Sequence, residues 1–191
     1  MTQGTKTVLI VLGVILAIGL VLGGWLIGGY NSVVAMDEEV KSSWAQVENQ
    51  LKRRFDLIPN LVETVKGYAT HEKEIFEKIA EARTQYFQAK EPAGKIKAAN
   101  QLEGTLSRLL MLQETYPTLK ADQSFHKLQD TLEGTENRIA VERKRYNDSV
   151  QRLNTYIRTV TGRIFAAIAG VDKAAYYEIP AAEKEAPKVK F

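Results

Sequence analysis

Hydrophobic positions change rhythm once along this chain. Between Lys6 and Asp37 there is no Asp, Glu, Lys or Arg, and Val8–Ile27 is built from Val, Leu, Ile, Ala, Gly and one Trp. A helix over that stretch is about 30 Å long, the thickness of a bilayer's hydrocarbon core. Trp25 and Tyr30 stand near its far end, where aromatic rings favour the lipid–water boundary. A cleavable signal peptide carries a shorter apolar core of roughly 7–15 residues, although Val33 and Ala35 satisfy a loose small-residue cleavage rule. The pattern predicts a short tail over 1–6 and a retained transmembrane helix over 7–30.

Beyond Asp37 the apolar positions step by three and four. The series Val40, Trp44, Val47, Leu51, Arg54, Ile58, Val62, Val65, Ala69, Glu72, Phe76, Ile79, Arg83, Tyr86 is interrupted only by Arg54, Glu72 and Arg83. That spacing predicts one helical face reaching to about residue 88. Pro59 lacks the amide that would bond the Phe55 carbonyl, so a kink or break is expected there. Gly67 is a second soft point. Glu91-Pro92-Ala93-Gly94 reads as a turn.

A second helix is expected from about Lys95 to Thr115, with Ile96, Leu102, Leu106, Leu109, Leu110 and Leu112 on its apolar side. Tyr116-Pro117 ends it, because proline disfavours helical geometry in the preceding residue. Asp122 or Ser124 can cap a third helix. Its stripe runs Phe125, Leu128, Leu132, Thr135, Ile139, Glu142, Tyr146, Val150, Leu153, Ile157, Val160, with Gly162 as its stop. Ile164–Val171 is a short apolar segment, expected as a last helical turn or two packed on the bundle and too short to span a membrane. No alternating strand pattern is sustained. The fold class is therefore all-α: an N-terminal transmembrane helix, then an elongated antiparallel, up-and-down bundle of three long helices plus a short fourth. The bundle fills 31–171, followed by a flexible C-terminal tail over 172–191.

Composition narrows the chemistry. The 191 residues carry 26 Lys+Arg against 23 Asp+Glu, two His and no Cys. So small a net charge gives no sign of a nucleic-acid partner. The missing Cys removes thiolate catalysis and every Cys-based metal site. His71-Glu72 is not followed by a second His at the zinc-protease spacing, and neither His71 nor His126 has a Glu three residues before it. No nucleophile elbow or phosphate loop is present. The chain is read as a non-enzyme without a cofactor or metal.

Three surface and interior features remain. Gly19/Gly23 and Gly24/Gly28 are spaced for close packing of a second membrane helix, or reflect only how common glycine is in such helices. Lys52-Arg53-Arg54 and Arg143-Lys144-Arg145 could meet anionic lipid head groups, but consecutive residues spread around a helix. Arg54, Glu72, Arg83 and Glu142 fall in apolar registers. Because an unpaired buried charge is costly, these four either lean out to water or pair across helices, and at least one interhelical Arg–carboxylate pair joining the first and third helices is expected.

The membrane side is left open by the charges: the cations nearest the span favour an outside bundle, the wider count an inside one. The prediction is thus a single-pass protein of a cell membrane. It contacts lipid through its N-terminal helix and displays the bundle as an interaction or scaffolding module for an unidentified protein partner or a second copy. The alternative is an effector that binds anionic lipid through the basic triplets.

Several longer stretches carry a resemblance. They are Gln50-Leu51-Lys52-Arg53-Arg54-Phe55-Asp56-Leu57-Ile58-Pro59-Asn60-Leu61-Val62, Val65-Lys66-Gly67-Tyr68, His71-Glu72 and Tyr116-Pro117-Thr118-Leu119-Lys120-Ala121. They continue through Leu132-Glu133-Gly134-Thr135-Glu136-Asn137-Arg138-Ile139-Ala140 and Arg145-Tyr146-Asn147. In these the chain resembles the LemA family of bacterial membrane-anchored proteins. The resemblance implies a membrane helix followed by an antiparallel helical bundle, with a short N-terminus outside and the bundle in the cytoplasm. It brings no catalytic residues and no established biochemical role. Thr161-Gly162-Arg163 departs from the more apolar, Pro-containing turn expected after Val160. Arg53, Pro59, Asn60, His71, Tyr116, Pro117, Glu136, Asn137, Arg138, Tyr146 and Asn147 are therefore motif residues whose role is either to satisfy buried polar groups or to face a partner.

Overall fold

A computed structural model describes residues 3–178, all of whose regular structure is helical. In chain order the helices are α1 (Gln3–Lys66), α2 (Lys73–Gln88), α3 (Pro92–Thr115), α4 (Pro117–Lys120), α5 (Gln123–Arg158) and α6 (Val160–Ala169). They form two units. Among the described residues the first comprises 3–41 and 149–174, the second 42–148 and 175–178.

The second unit is an up-down-up-down arrangement of α1, α2, α3 and α5. Phe55 of α1 stacks on Tyr86 of α2, with ring centroids 4.1 Å apart, while Lys66 lies over the Phe76 ring. Contacts that pair 55 with 86 and 66 with 76 make the two helices antiparallel. Trp44 meets Tyr146 edge-on at 5.4 Å and Arg54 meets Glu136, so α5 also opposes α1. The series read as one face to residue 88 is in fact two helices, because the chain turns back at Gly67–Glu72. Ala69 is fully buried in that turn, and its amide bonds the Val65 carbonyl.

Pro59 does not break α1. Its missing amide and ring cost roughly 3 kcal/mol in a helix interior. On the buried side of the same turns, Phe55, Ile58, Leu61 and Val65 are each at most 1% exposed. Burying one such side chain contributes about 1.5–3 kcal/mol, so packing outweighs the proline.

Pro92 is the first residue of α3 rather than part of the turn before it. A first-turn amide has no partner in any case, so proline fits there. Tyr116-Pro117 ends α3 as the pattern requires, and one helical turn, α4, follows. The Asp122 carboxylate then accepts from the Phe125 amide at 2.9 Å, and the Tyr68 hydroxyl donates to its other oxygen at 2.7 Å. The Tyr68 bond, followed by the amide, holds the Asp122 carboxyl below its ordinary range.

In the first unit, the large apolar side chains from Val11 to Ile27 are exposed. This helix is long and apolar enough to cross a membrane. Arg152 of α5 pairs with Glu39. The stop placed at Gly162 falls instead after Arg158, because Thr159 starts a new helix: its hydroxyl accepts from the Gly162 amide at 3.0 Å and donates to the Tyr156 carbonyl at 2.8 Å. Gly162 lies inside α6, where a Cβ would stand 1.9 Å from the Tyr156 carbonyl oxygen. Gly170, with φ of 66°, ends α6. The Asn154 side chain then accepts from the Ala174 amide at 3.0 Å and donates to the Ala174 carbonyl at 2.9 Å. The structural description stops at residue 178, so most of the tail read over 172–191 lies outside it.

Candidate functional site

The most charged interior point is in the second unit, where α1, α3 and α5 meet. Arg54 is 7% exposed. Its Nη1 donates to Glu103 Oε2 at 2.6 Å and its Nη2 to Glu103 Oε1 at 3.2 Å, a two-point grip on one carboxylate. Nη1 also donates to Glu136, whose other oxygen accepts from Arg143 Nη2 at 3.4 Å. The order Glu103–Arg54–Glu136–Arg143 alternates in sign, which offsets the cost of removing these charges from water. Arg54 Nε is buried without a hydrogen-bond partner. The cavity beside the cluster is about 10 Å³, of the order one water needs and far below a substrate's volume.

Against this cluster lies an extended, non-helical segment, Ala175–Glu178. Asn147 grips it: its side-chain oxygen accepts from the Tyr177 amide at 2.8 Å, and its side-chain nitrogen donates to the Tyr177 carbonyl at 3.1 Å. The Tyr146 hydroxyl donates to the Ala175 carbonyl at 2.8 Å and Asn100 to the Glu178 carbonyl at 2.9 Å. The Tyr177 ring is buried with the Arg143 guanidinium 5.4 Å from its centroid. Burial pushes the Tyr177 hydroxyl up to about 12, with Arg143 pulling the other way. These contacts satisfy an unpaired strand of backbone by side chains, so the segment needs no sheet partner.

The four residues read as an interhelical network do not come together. Arg54 of α1 pairs with Glu136 of α5, an Arg–carboxylate pair between the first and third predicted helices, and with Glu103 of α3, not with Glu72 or Glu142. Glu72 sits in the α1–α2 turn and accepts from the Tyr116 hydroxyl at 3.3 Å. Arg83 lies over the Phe87 ring at 5.3 Å, with its Nε buried and without a hydrogen-bond partner. Glu142 receives Arg145, three residues on in its own helix, at 2.9 Å. Glu103 escaped sequence reasoning, yet it carries a signal: it lies four residues after Ala99 and three before Leu106, both buried.

The motif residues divide. Glu136, Tyr146 and Asn147 are used inside the second unit, and Tyr116 holds Glu72. Arg53, Pro59, Asn60, His71, Pro117, Asn137 and Arg138 are exposed. The two basic triplets do not stay whole as anionic-lipid sites: Arg54 and Arg143 turn into the ion cluster, Arg145 is exposed but pairs with Glu142, and Lys52, Arg53 and Lys144 are exposed. Among the described residues no group of three or more His, Asp or Glu is placed to hold a metal ion.

An apolar N-terminal helix of membrane-spanning length, joined to a helical bundle whose interior charges neutralise one another, defines a membrane-associated helical protein. Residues 43–191 match the LemA family, and the chain belongs to it. It is 26% identical over 175 residues to the magnetosome proteins MamQ 1 and MamQ 2 of Paramagnetospirillum magneticum, covering 78% of this chain and 64% of each relative. To MamQ of Magnetospirillum gryphiswaldense it is 25% identical over 181 residues, covering 81% of this chain and 66% of that protein. The chain thus spans somewhat under two thirds of the length of the first two relatives.

Proposed function

We propose that this protein is a single-pass protein of the bacterial inner membrane whose bundle is a non-enzymatic interaction module. The observation that supports it most is the division of the motif residues. Those that carry charge into the bundle are consumed by internal bonds. Arg53 and Asn60, seven apart on α1 and so on one face, are exposed, as are Asn137 and Arg138 on α5. Exposed polar residues that serve no internal bond suit a partner-facing surface.

The test is crosslinking of tagged full-length protein in intact cells, compared with the double variants Arg53→Ala/Asn60→Ala and Asn137→Ala/Arg138→Ala. A protein captured by the parent chain and lost from at least one variant, with unchanged helical content, is the expected result. Capture of a second copy alone would move the role to self-assembly, with Gly19→Leu and Gly24→Leu as the next variants. Capture insensitive to both double variants would overturn this surface.

A further inference from the structure

In the first unit α6 faces two ways. Gly162, Phe165 and Ala166 are buried on one side, where the Phe165 ring meets Trp25 at 4.9 Å and rests on Gly29, leaving no room for a Cβ there. The other side should be polar if it faced water. Instead it carries Val160, Ile164 and Ile168, spaced by four along one face and 81%, 50% and 60% exposed. The stripe does not end at α6. Ile168 and Phe165 share an open apolar groove with Leu26, Ile27 and Tyr30 of α1, which continues into the exposed apolar side chains of the span itself.

We infer that α6 is a second membrane-embedded element, lying in the bilayer at the level of Trp25–Tyr30 with Val160, Ile164 and Ile168 among the acyl chains. This rests on reading the first part of α1 as a membrane span. Ten residues are too few to cross the hydrocarbon layer, but a short helix with one apolar face suits the boundary between acyl chains and head groups. The occupant argued for is lipid rather than protein, because the uncovered face is continuous with a helix surface that lipid already covers. Recognition here is by apolar burial, not by the basic triplets of the second unit. The result is a wedge that fixes where the chain leaves the membrane: α6 can seat on Gly29 only with its outer face in the same layer as Trp25.

The chain has no Cys, so single-cysteine variants of the full-length protein report unambiguous positions. Val160→Cys, Ile164→Cys, Ile168→Cys, Arg163→Cys and Leu16→Cys are labelled with an environment-sensitive fluorophore in phosphatidylcholine vesicles. Each is quenched either by aqueous iodide or by lipid carrying a nitroxide near the head group. Labels at 160, 164 and 168 should lose emission to the nitroxide lipid and be shielded from iodide, whereas the label at 163 should be more open to iodide. Iodide quenching at 160, 164 and 168 with lipid shielding kept at 16 would overturn the inference while leaving the span intact. Shielding of the stripe from both quenchers would overturn it in favour of a second copy covering α6. Iodide access at 16 would remove the span reading and this inference together.

Discussion

Asn147 holds Tyr177 by both of its backbone groups, amide and carbonyl, across 30 residues of sequence. The pairing is what a neighbouring β-strand would supply, delivered by one side chain of a helix. Asn154 repeats it on Ala174 in the first unit. Leucine or aspartate at either site cannot both accept and donate.

Replacing Asn147 by Leu should therefore release Ala175–Glu178. Each lost bond contributes about 0.5–1.5 kcal/mol, and an orphaned buried amide costs about 1–3 kcal/mol more. The expected outcome is faster chymotryptic cleavage at Tyr176 and Tyr177, read by intact mass, with helical content unchanged. Cleavage at the parent rate would show that Asn147 does not hold the segment.

Arg54→Met should destabilise the bundle by about 2–3 kcal/mol in denaturant unfolding. Breaking a fully buried pair costs about 3–5 kcal/mol, and the Glu103 and Glu136 side chains keep 28% and 32% of their exposure, which softens the loss. Adding Glu103→Leu should recover part of it, since Glu136 keeps Arg143 as its partner and no carboxylate is then left without a cation. A double variant less stable than Arg54→Met would show that the ions stabilise by more than mutual compensation.

Tyr177 links stability to alkaline pH. Its hydroxyl is raised from about 10 in the unfolded chain to about 12 in the folded one, so the folded state keeps the proton longer. The stability this contributes is complete below about pH 10 and is lost as pH rises towards 12. Tyr177→Phe should flatten that part of the decline and remove one late-titrating phenol from the ultraviolet absorbance titration. Tyr86 and Tyr146, also raised by burial, keep theirs.

Gly162→Ala should disrupt the start of α6. The added Cβ meets the Tyr156 carbonyl oxygen, a backbone atom that also accepts the Thr159 amide and hydroxyl. Faster hydrogen exchange across α6 amides is expected. Unchanged protection would mean that the α5–α6 turn relaxes without cost.

The helical class, the apolar run before Asp37, the stop at Tyr116-Pro117 and the Asp122 cap were all legible in the sequence alone. Each depends on residues within a few positions of one another, where periodicity, a missing amide or a capping carboxylate acts whatever the rest of the chain does. Burial of Arg54 was legible for the same reason, because its register is local. Its partners were not: Glu103 and Glu136 lie 49 and 82 residues away, and which carboxylate arrives depends on how α3 and α5 pack against α1. Tertiary structure likewise placed the turn at Gly67 rather than at Pro59, since only packing reveals that Phe55, Ile58, Leu61 and Val65 are buried on both sides of the proline. It also decided that Asn147 binds a backbone strand and that α6 leaves an apolar face open. Local chemistry chooses the elements, and long-range packing decides which polar groups find one another.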